Sequence, residues 1–326
     1  MLKLVDIRNR IQAVESIEGI ARTLSTVSSA KLSRTRTRAA GLRIYVERLR
    51  AMLGREFMFA ASHGLDPRQF SPFLQPKPEV KRVLIIHLAG DRGMCGNYNV
   101  TVNRALVTDV KSFQDAGVEV FVYLKGRYGQ RWLSRRLDVP ILGSEEWSRN
   151  GVTDNDVFTL FARCSAAFLE GEADEVWCRY TRYVNTLQHG PALVRLLPLS
   201  FEARLAPGAH DMMSEVEFEA QAESHARRWH EPSFEDVFRA LVEELVRTQV
   251  EDVQLESFAS EQASRMVSME EASERASRML QELRVKYNRM RREAITSDLL
   301  GVLFASRMRG EGVRGGTPTR GEEARQ

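Results

Sequence analysis

The sequence predicts an α/β chain in which long N- and C-terminal helices pair as an antiparallel coiled coil around a central Rossmann-like α/β domain. Three observations predict this. Residues 1–60 contain no proline, and residues 233–300 contain neither glycine nor proline. Between them, from about 79 to 200, strand-like and helix-like segments alternate. Proline has no N–H and clashes with the preceding turn, so long proline-free runs with helical spacing read as helices.

In the N-terminal run Ile7, Ile11, Val14, Ile17, Ile20, Leu24 and Val27 recur three and four residues apart, followed by Leu42, Val46, Leu49 and Leu53. That spacing sets them on one helical face. Pro67, Pro72, Pro76 and Pro78 then break the pattern. In the middle, strands are expected at 83–88, 118–124, 139–142, 175–183 and 193–199, with helices at 99–114, 126–136 and 155–169. Alternating strands and helices imply a mainly parallel sheet covered on both faces. Residues 201–232 read as a polar connection, loop or short irregular helix. A continuous helix over 233–300 would be roughly 100 Å long at 1.5 Å per residue, more than an ordinary globular domain buries. Along it Ala259, Ala263, Met266, Ala276, Leu280, Leu283, Tyr287, Met290 and Ala294 form a seam spaced near three and a half residues. A narrow seam of that length needs a helical partner, and the N-terminal helix is at hand. Small residues in the seam allow close approach with little burial, which suggests that part of the rod leans on another protein. The expected organisation is helix 1–62, domain 79–200, connection 201–232, helix 233–309 and a disordered Gly- and charge-rich tail 310–326.

Composition excludes several classes. The 43% hydrophobic content permits a packed core, and a net charge of +3 favours no partner by itself. Cys95, Cys164 and Cys178 form no CxxC, and none of the six histidines has ligand spacing to another His or Cys, so neither a disulfide framework nor a metal site is expected. No transmembrane run is expected, nor a secretion peptide at the N-terminus. The glycine-containing stretch 90–96 follows a strand and precedes a helix, where nucleotide-binding folds cradle phosphate. It is neither GxGxxG nor GxxxxGK[ST] and offers no lysine, so a tight turn is the better reading. No catalytic residue and no cofactor are expected. An oxidoreductase with coiled-coil arms would need a cofactor loop that is missing. A nucleic-acid-binding coiled coil would use the basic stretch Lys31, Arg34, Arg36, Arg38, Arg43, Arg48, Arg50 and Arg55, set against only Glu47, but that helix lacks interleaved aromatics.

Specific residues carry a family resemblance. Asp6-Ile7-Arg8, residues 20–27 and Ala30-Lys31-Leu32 resemble the opening helix of the gamma subunit of F-type ATP synthases. Asp91-Arg92-Gly93-Met94-Cys95-Gly96 with Asn99 is similar to that family's Asp-Arg-Gly-Leu-Cys-Gly loop. Asn185-Thr186 with Leu196-Leu197-Pro198-Leu199 resembles its late strands. Residues 260–269, Ser-Glu-Gln-Ala-Ser-Arg-Met-Val-Ser-Met, and then Tyr287-Asn288-Arg289, Arg291 and Ala294-Ile295-Thr296 are similar to its C-terminal helix.

The resemblance implies a non-catalytic rotor shaft. Its partners would be a hexamer of alternating alpha and beta subunits, the epsilon subunit and the membrane c-ring, with no nucleic acid and no insertion of its own into the membrane. Its place would be the cytoplasmic face of a bacterial inner membrane. The matching positions implied as hexamer contacts are Arg8, Leu24, Lys31, Arg265, Arg291, Arg292, Thr296 and Asp298. Those implied as foot contacts are Arg43, Tyr45, His230 and Glu231. Departures at Leu24, Arg292 and Asp298, where the family usually has Met, Gln and Glu, point to a divergent branch.

Overall fold

The structure, a computed structural model, describes residues 2–133, 136, 138–199 and 230–312. The expected connection 201–232 therefore lies outside the described residues up to 229, as does the expected tail beyond 312. Among the described residues are helices α1 (Leu2–Ser62), α2 (Tyr98–Asp115), α3 (Arg127–Leu133), α4 (Asp154–Leu169) and α5 (Phe234–Gly312). The strands are β1 (Arg82–Leu88), β2 (Glu119–Lys125), β3 (Ile141–Glu145), β4 (Glu175–Tyr183) and β5 (His189–Leu197). Two prolines expected to break the chain do so by opening short 3-10 turns, Pro67–Phe70 and Pro72–Leu74. Proline suits a first helical position, where its missing N–H has no partner to lose.

The chain divides into two compact units, one of Leu24–Met269 and one of Met1–Thr23 with Glu270–Gln326. In the larger unit the sheet order is β3-β2-β1-β4-β5. β1 pairs in parallel with β2 and β4, β2 in parallel with β3, and β5 antiparallel to β4. The β4–β5 hairpin thus supplies the one antiparallel pair among the described strands. β1 is central and buried from Val83 to Leu88. Its alternate residues serve two cores, as the two-residue strand period requires. Val83 and Ile85 face Leu106, Val110 and Leu133 of α2 and α3. Leu84, Ile86 and Leu88 join the larger cluster, which contains Leu160 and Phe168 of α4, Leu42, Leu49 and Leu53 of α1, and Phe238, Val242, Leu245 and Val250 of α5. The sheet is covered on both faces, and the terminal helices are themselves part of one covering layer. Full burial of each such side chain stabilises by about 1.5–3 kcal/mol.

Burial along α1 corrects part of the expected stripe. Ile17, Ile20 and Val27 are exposed, while Val14, Ala21, Ser28, Thr35, Leu42 and Leu49 are buried at intervals of seven. Three of these are small or polar, so hydrophobicity alone selected their larger neighbours. A seven-residue repeat is the period of paired helices. Within the larger unit the pairing is antiparallel: Arg38 bonds Glu251, Tyr45 bonds Glu244, and His230 meets Glu56. In the smaller unit Val14, Ala276 and Leu280 cluster with Ile11 and Leu283 beside them, and Arg284 pairs with Glu15 at 2.7 Å.

Candidate functional site

The turn between β1 and α2 is built almost entirely from the stretch 90–99. Asp91 accepts hydrogen bonds from Arg127 N and Trp147 N, both at 3.0 Å, which ties the turn to the starts of α3 and of the segment after β3. Asn99 accepts from Gly90 N at 2.8 Å and donates to Arg92 O at 3.1 Å. Met94 and Gly96 adopt positive φ, 60° and 56°. Gly96 has a further reason to lack a side chain, since a Cβ there would stand 2.8 Å from Ser268 Oγ of α5.

Helix α5 lies directly against this turn. Tyr98 Oη is within 2.9 Å of Ser257 Oγ, and Ser264 Oγ donates to Cys95 O at 2.8 Å. Glu261 sits between them, its carboxyl carbon 3.0 Å from where a Cβ on Gly90 would stand. Residues 257, 261, 264 and 268 share one helical face by their spacing. Other segments close on the remaining faces. Ser260 Oγ donates to Thr181 O at 3.1 Å at the end of β4. Trp147 packs its ring 5.9 Å from that of Phe258 and donates from Nε1 to Ala89 O. Leu32 of α1 meets Ala259 and Ala263, with Tyr183 beside them. All nine residues from 257 to 265 are consequently buried, so this stretch of α5 passes through a collar made by its own chain. Small residues there allow backbones to approach, and at Ala259 and Ala263 the surface they meet is Leu32 of the N-terminal helix.

At Gly90 the turn is already filled by its own chain. Gly90 N–H is already bound to Asn99, and a phosphate approaching Gly90 would meet the Glu261 carboxyl. Burial raises the pKa of that carboxyl above its ordinary value, against the pull of the paired Arg265 guanidinium. Cys95 is buried, and burial pushes its thiol up to about 11, so the reactive thiolate is scarce near neutrality. Among the described residues no His, Cys, Asp or Glu cluster could hold a metal ion. None of their helices is long and apolar enough to cross a membrane.

The expected contact residues fall into distinct settings. Arg265 is buried and held by Glu261. Lys31 donates from Nζ to Arg149 O at 2.7 Å, and desolvation followed by the nearby Arg92 and Arg265 charges lowers its pKa. Leu24 is half-buried on α1. Arg8, Arg291, Arg292, Thr296 and Asp298 are exposed, Thr296 Oγ1 donating to Arg292 O in the preceding turn. Arg43 and Glu231 are exposed; Tyr45, 46% exposed, donates to Glu244 at 2.9 Å. His230 stacks among Phe59 and Phe234 with Nε2 2.8 Å from Glu56. The structure thus gathers Lys31 and Arg265 near the collar and leaves the residues beyond 290 facing outward. Glu261, Ser264 and Ser268 lay within the family motif 260–269 but were given no role of their own, and Ser257 lay outside it, because polar residues on a helix ordinarily mark its solvent face; their four-three-four spacing was the available signal.

The ATP synthase family model matches residues 3–305. This chain belongs to the ATP synthase gamma family. The ATP synthase gamma chain of Cupriavidus pinatubonensis is 32% identical over 305 residues, covering 90% of this chain and 95% of that relative. That of Polynucleobacter asymbioticus is 29% identical over 299 residues, covering 92% and 96%. Among solved structures, a chain of the Euglena gracilis mitochondrial ATP synthase, described as OSCP/F1/c-ring in rotational state 3, aligns with a TM-score of 0.59 at 16% identity. It covers 98% of this chain and 99% of that one. A second, the rotor of the same source in rotational state 1, aligns at 0.54 with 15% identity, covering 90% and 99%. These structures show the fold. As gamma chains are, this subunit is a non-catalytic part of its complex.

Proposed function

We propose that this gamma chain is the central rotor shaft of an F-type ATP synthase, turned by ion flow through a membrane ring and driving the catalytic sites of an alpha/beta hexamer through their conformations. The observation that carries the reading is the family match over residues 3–305, which takes in both terminal helices as well as the sheet. A shaft changes a catalytic site only if its contacts differ between that site's states, so its exposed side chains matter more than its core. Arg8, Leu24, Arg291, Arg292, Thr296 and Asp298 are the proposed hexamer contacts, with Lys31 and Arg265 acting from the collar. Arg43, Tyr45, His230 and Glu231 are the proposed foot toward the c-ring and epsilon subunit, with the connection 201–232 near it. In this reading helices 1–62 and 233–309 form the shaft and 79–200 the domain it carries. The complex is attached to the membrane; the cytoplasmic face of a bacterial inner membrane is its proposed place.

An exposed apolar end on α5 supports the reading. Leu299, Val302 and Phe304 are 60–67% exposed, and a helix apolar on several sides needs cover from elsewhere. The test is co-expression with the cognate alpha and beta subunits. One copy should purify per three of each, and a hexamer that assembles and is regulated by the ring without this chain would sink the proposal.

A further inference from the structure

We infer that the collar around residues 257–265 is a rotational lock, which makes α5 and the sheet domain turn as one body under load; this rests on the rotor reading above. Torque applied to a helix that lies on a domain by one apolar face is resisted weakly, because apolar contacts are non-directional. Directional resistance needs hydrogen bonds and steric keys placed around the helix. The collar supplies both, from three sides. Ser264 is bonded to Cys95 O and Ser260 to Thr181 O, Tyr98 is bonded to Ser257, and Phe258 is wedged between Trp147 and Gly151. Gly96 seats its bare Cα against Ser268, so a turn of α5 would drive Ser268 into the backbone.

The collar is itself anchored to the sheet. Asp91 fixes the turn to Arg127 N and Trp147 N, and Trp147 is fixed to Ala89 O. Lys31 joins α1 to Arg149 O in the same segment. The buried Glu261 carboxyl fills the space beside Gly90 and is held there by its charge pair with the buried Arg265. A joint that only needed stability could be apolar throughout, as the cluster of Phe238, Val242 and Val246 is.

The experiment uses the whole membrane complex and measures ions pumped per ATP hydrolysed against a rising opposing gradient. Gly96→Val pushes a side chain into Ser268 and opens the lock. ATP hydrolysis should stay within about twofold of the unsubstituted complex while pumping per ATP falls severalfold at high gradient. Unchanged pumping overturns the proposal. The converse variant, Gly96→Cys with Ser268→Cys in a Cys95→Ser background, uses the 2.8 Å between a Cβ at position 96 and the side-chain Oγ of Ser268 to close a disulfide across the joint. When oxidised it should hydrolyse ATP and pump normally, because nothing at the joint has to move; loss of turnover restored by reductant overturns the proposal. If Gly96→Val fails to assemble, the cross-linked variant decides alone. Failure of the unsubstituted chain to assemble with hexamer and ring would instead sink the rotor reading and leave the lock to be read from slow amide exchange over 257–265.

Discussion

Arg38 and Glu251 stand 213 residues apart in the chain and meet at 2.8 Å, the Arg38 Nε donating to Glu251 Oε1. The same guanidinium donates to Val152 O at 2.8 Å and to Asp154 Oδ1 at 2.7 Å, so one side chain joins α1, α5 and the start of α4. Arginine does this because its planar fork presents several donors at once, which the single ammonium of lysine does not.

Arg38→Lys is therefore expected to lower stability by about 1 kcal/mol, the order of one lost hydrogen bond to a charged group at a partly exposed site. Denaturant unfolding measures it. Amide exchange at residues 152–154 should speed up more than at β1, since Asp154 is mostly exposed and Val152 loses its tie to α1. Equal protection in both segments would contradict the joining role.

Lys125 is fully buried, its Nζ 2.9 Å from Asp156 Oδ1, 3.6 Å from Glu145 and 5.1 Å from the Trp147 ring centroid. Asp156 also forms the capping box of α4 with Thr153, accepting from its backbone N–H while Thr153 Oγ1 accepts from Asp156 N. Lys125→Met should destabilise by about 3 kcal/mol, because it leaves a carboxylate buried without its cation. Lys125→Met combined with Asp156→Asn should lose less than the sum of the two single changes, a shortfall that a double-mutant cycle on unfolding midpoints would read.

Asp252 and Glu256 occupy successive turns of α5 beside Tyr180 and Arg182 of β4 and Arg43 and Arg50 of α1. Burial pushes their pKa values up to about 6 and about 7, ahead of the opposing arginine charges, and Glu256 Oε2 has no hydrogen-bond partner. Folding thus raises both values, so the folded chain holds protons that the unfolded chain has released. That contribution to stability is full below about pH 4 and is lost as pH rises through 6 and 7. Glu256→Gln removes the loss: it should stabilise by about 3 kcal/mol at pH 8 and by nothing at pH 4. A gain of equal size at both pH values would show that the charge is not responsible.

How much of this was legible in the sequence follows from which forces left a pattern. β1 announced itself because a strand buried on both faces is an apolar run, and Gly64, Gly117 and Gly171 marked the ends of α1, α2 and α4. Ala259, Ala263, Ala276 and Leu280 follow the expected three-and-a-half-residue seam and are buried. The opposing seam on α1 passes through Ala21, Ser28 and Thr35, which no hydrophobic pattern singles out. The collar was legible only as a family motif. Its residues are Ser, Ala, Glu and Arg, types that cover exposed helices equally well, and their role arises from segments that sequence spacing cannot bring together. Arg265 shows this most plainly, since an arginine on a long helix reads as a surface charge and here lies buried against Glu261.

The exposed end of α5 carries the last expectation. Residues 299–304 read Leu-Leu-Gly-Val-Leu-Phe and are all exposed, with Phe304 at 66%. Burying one such side chain in a partner contributes about 1.5–3 kcal/mol, and each 1.4 kcal/mol is tenfold in affinity. Phe304→Asp replaces that gain with the cost of burying a charge. Its affinity for the alpha/beta hexamer should therefore fall at least about tenfold in a titration of purified subunits. Stability of the isolated chain should not move, because Phe304 contributes no core contact to it, and its solubility should rise as the apolar surface shrinks. An unfolding midpoint lowered in step with the affinity would mean that the end is packed within the chain instead, and the apolar tip would then say nothing about a hexamer.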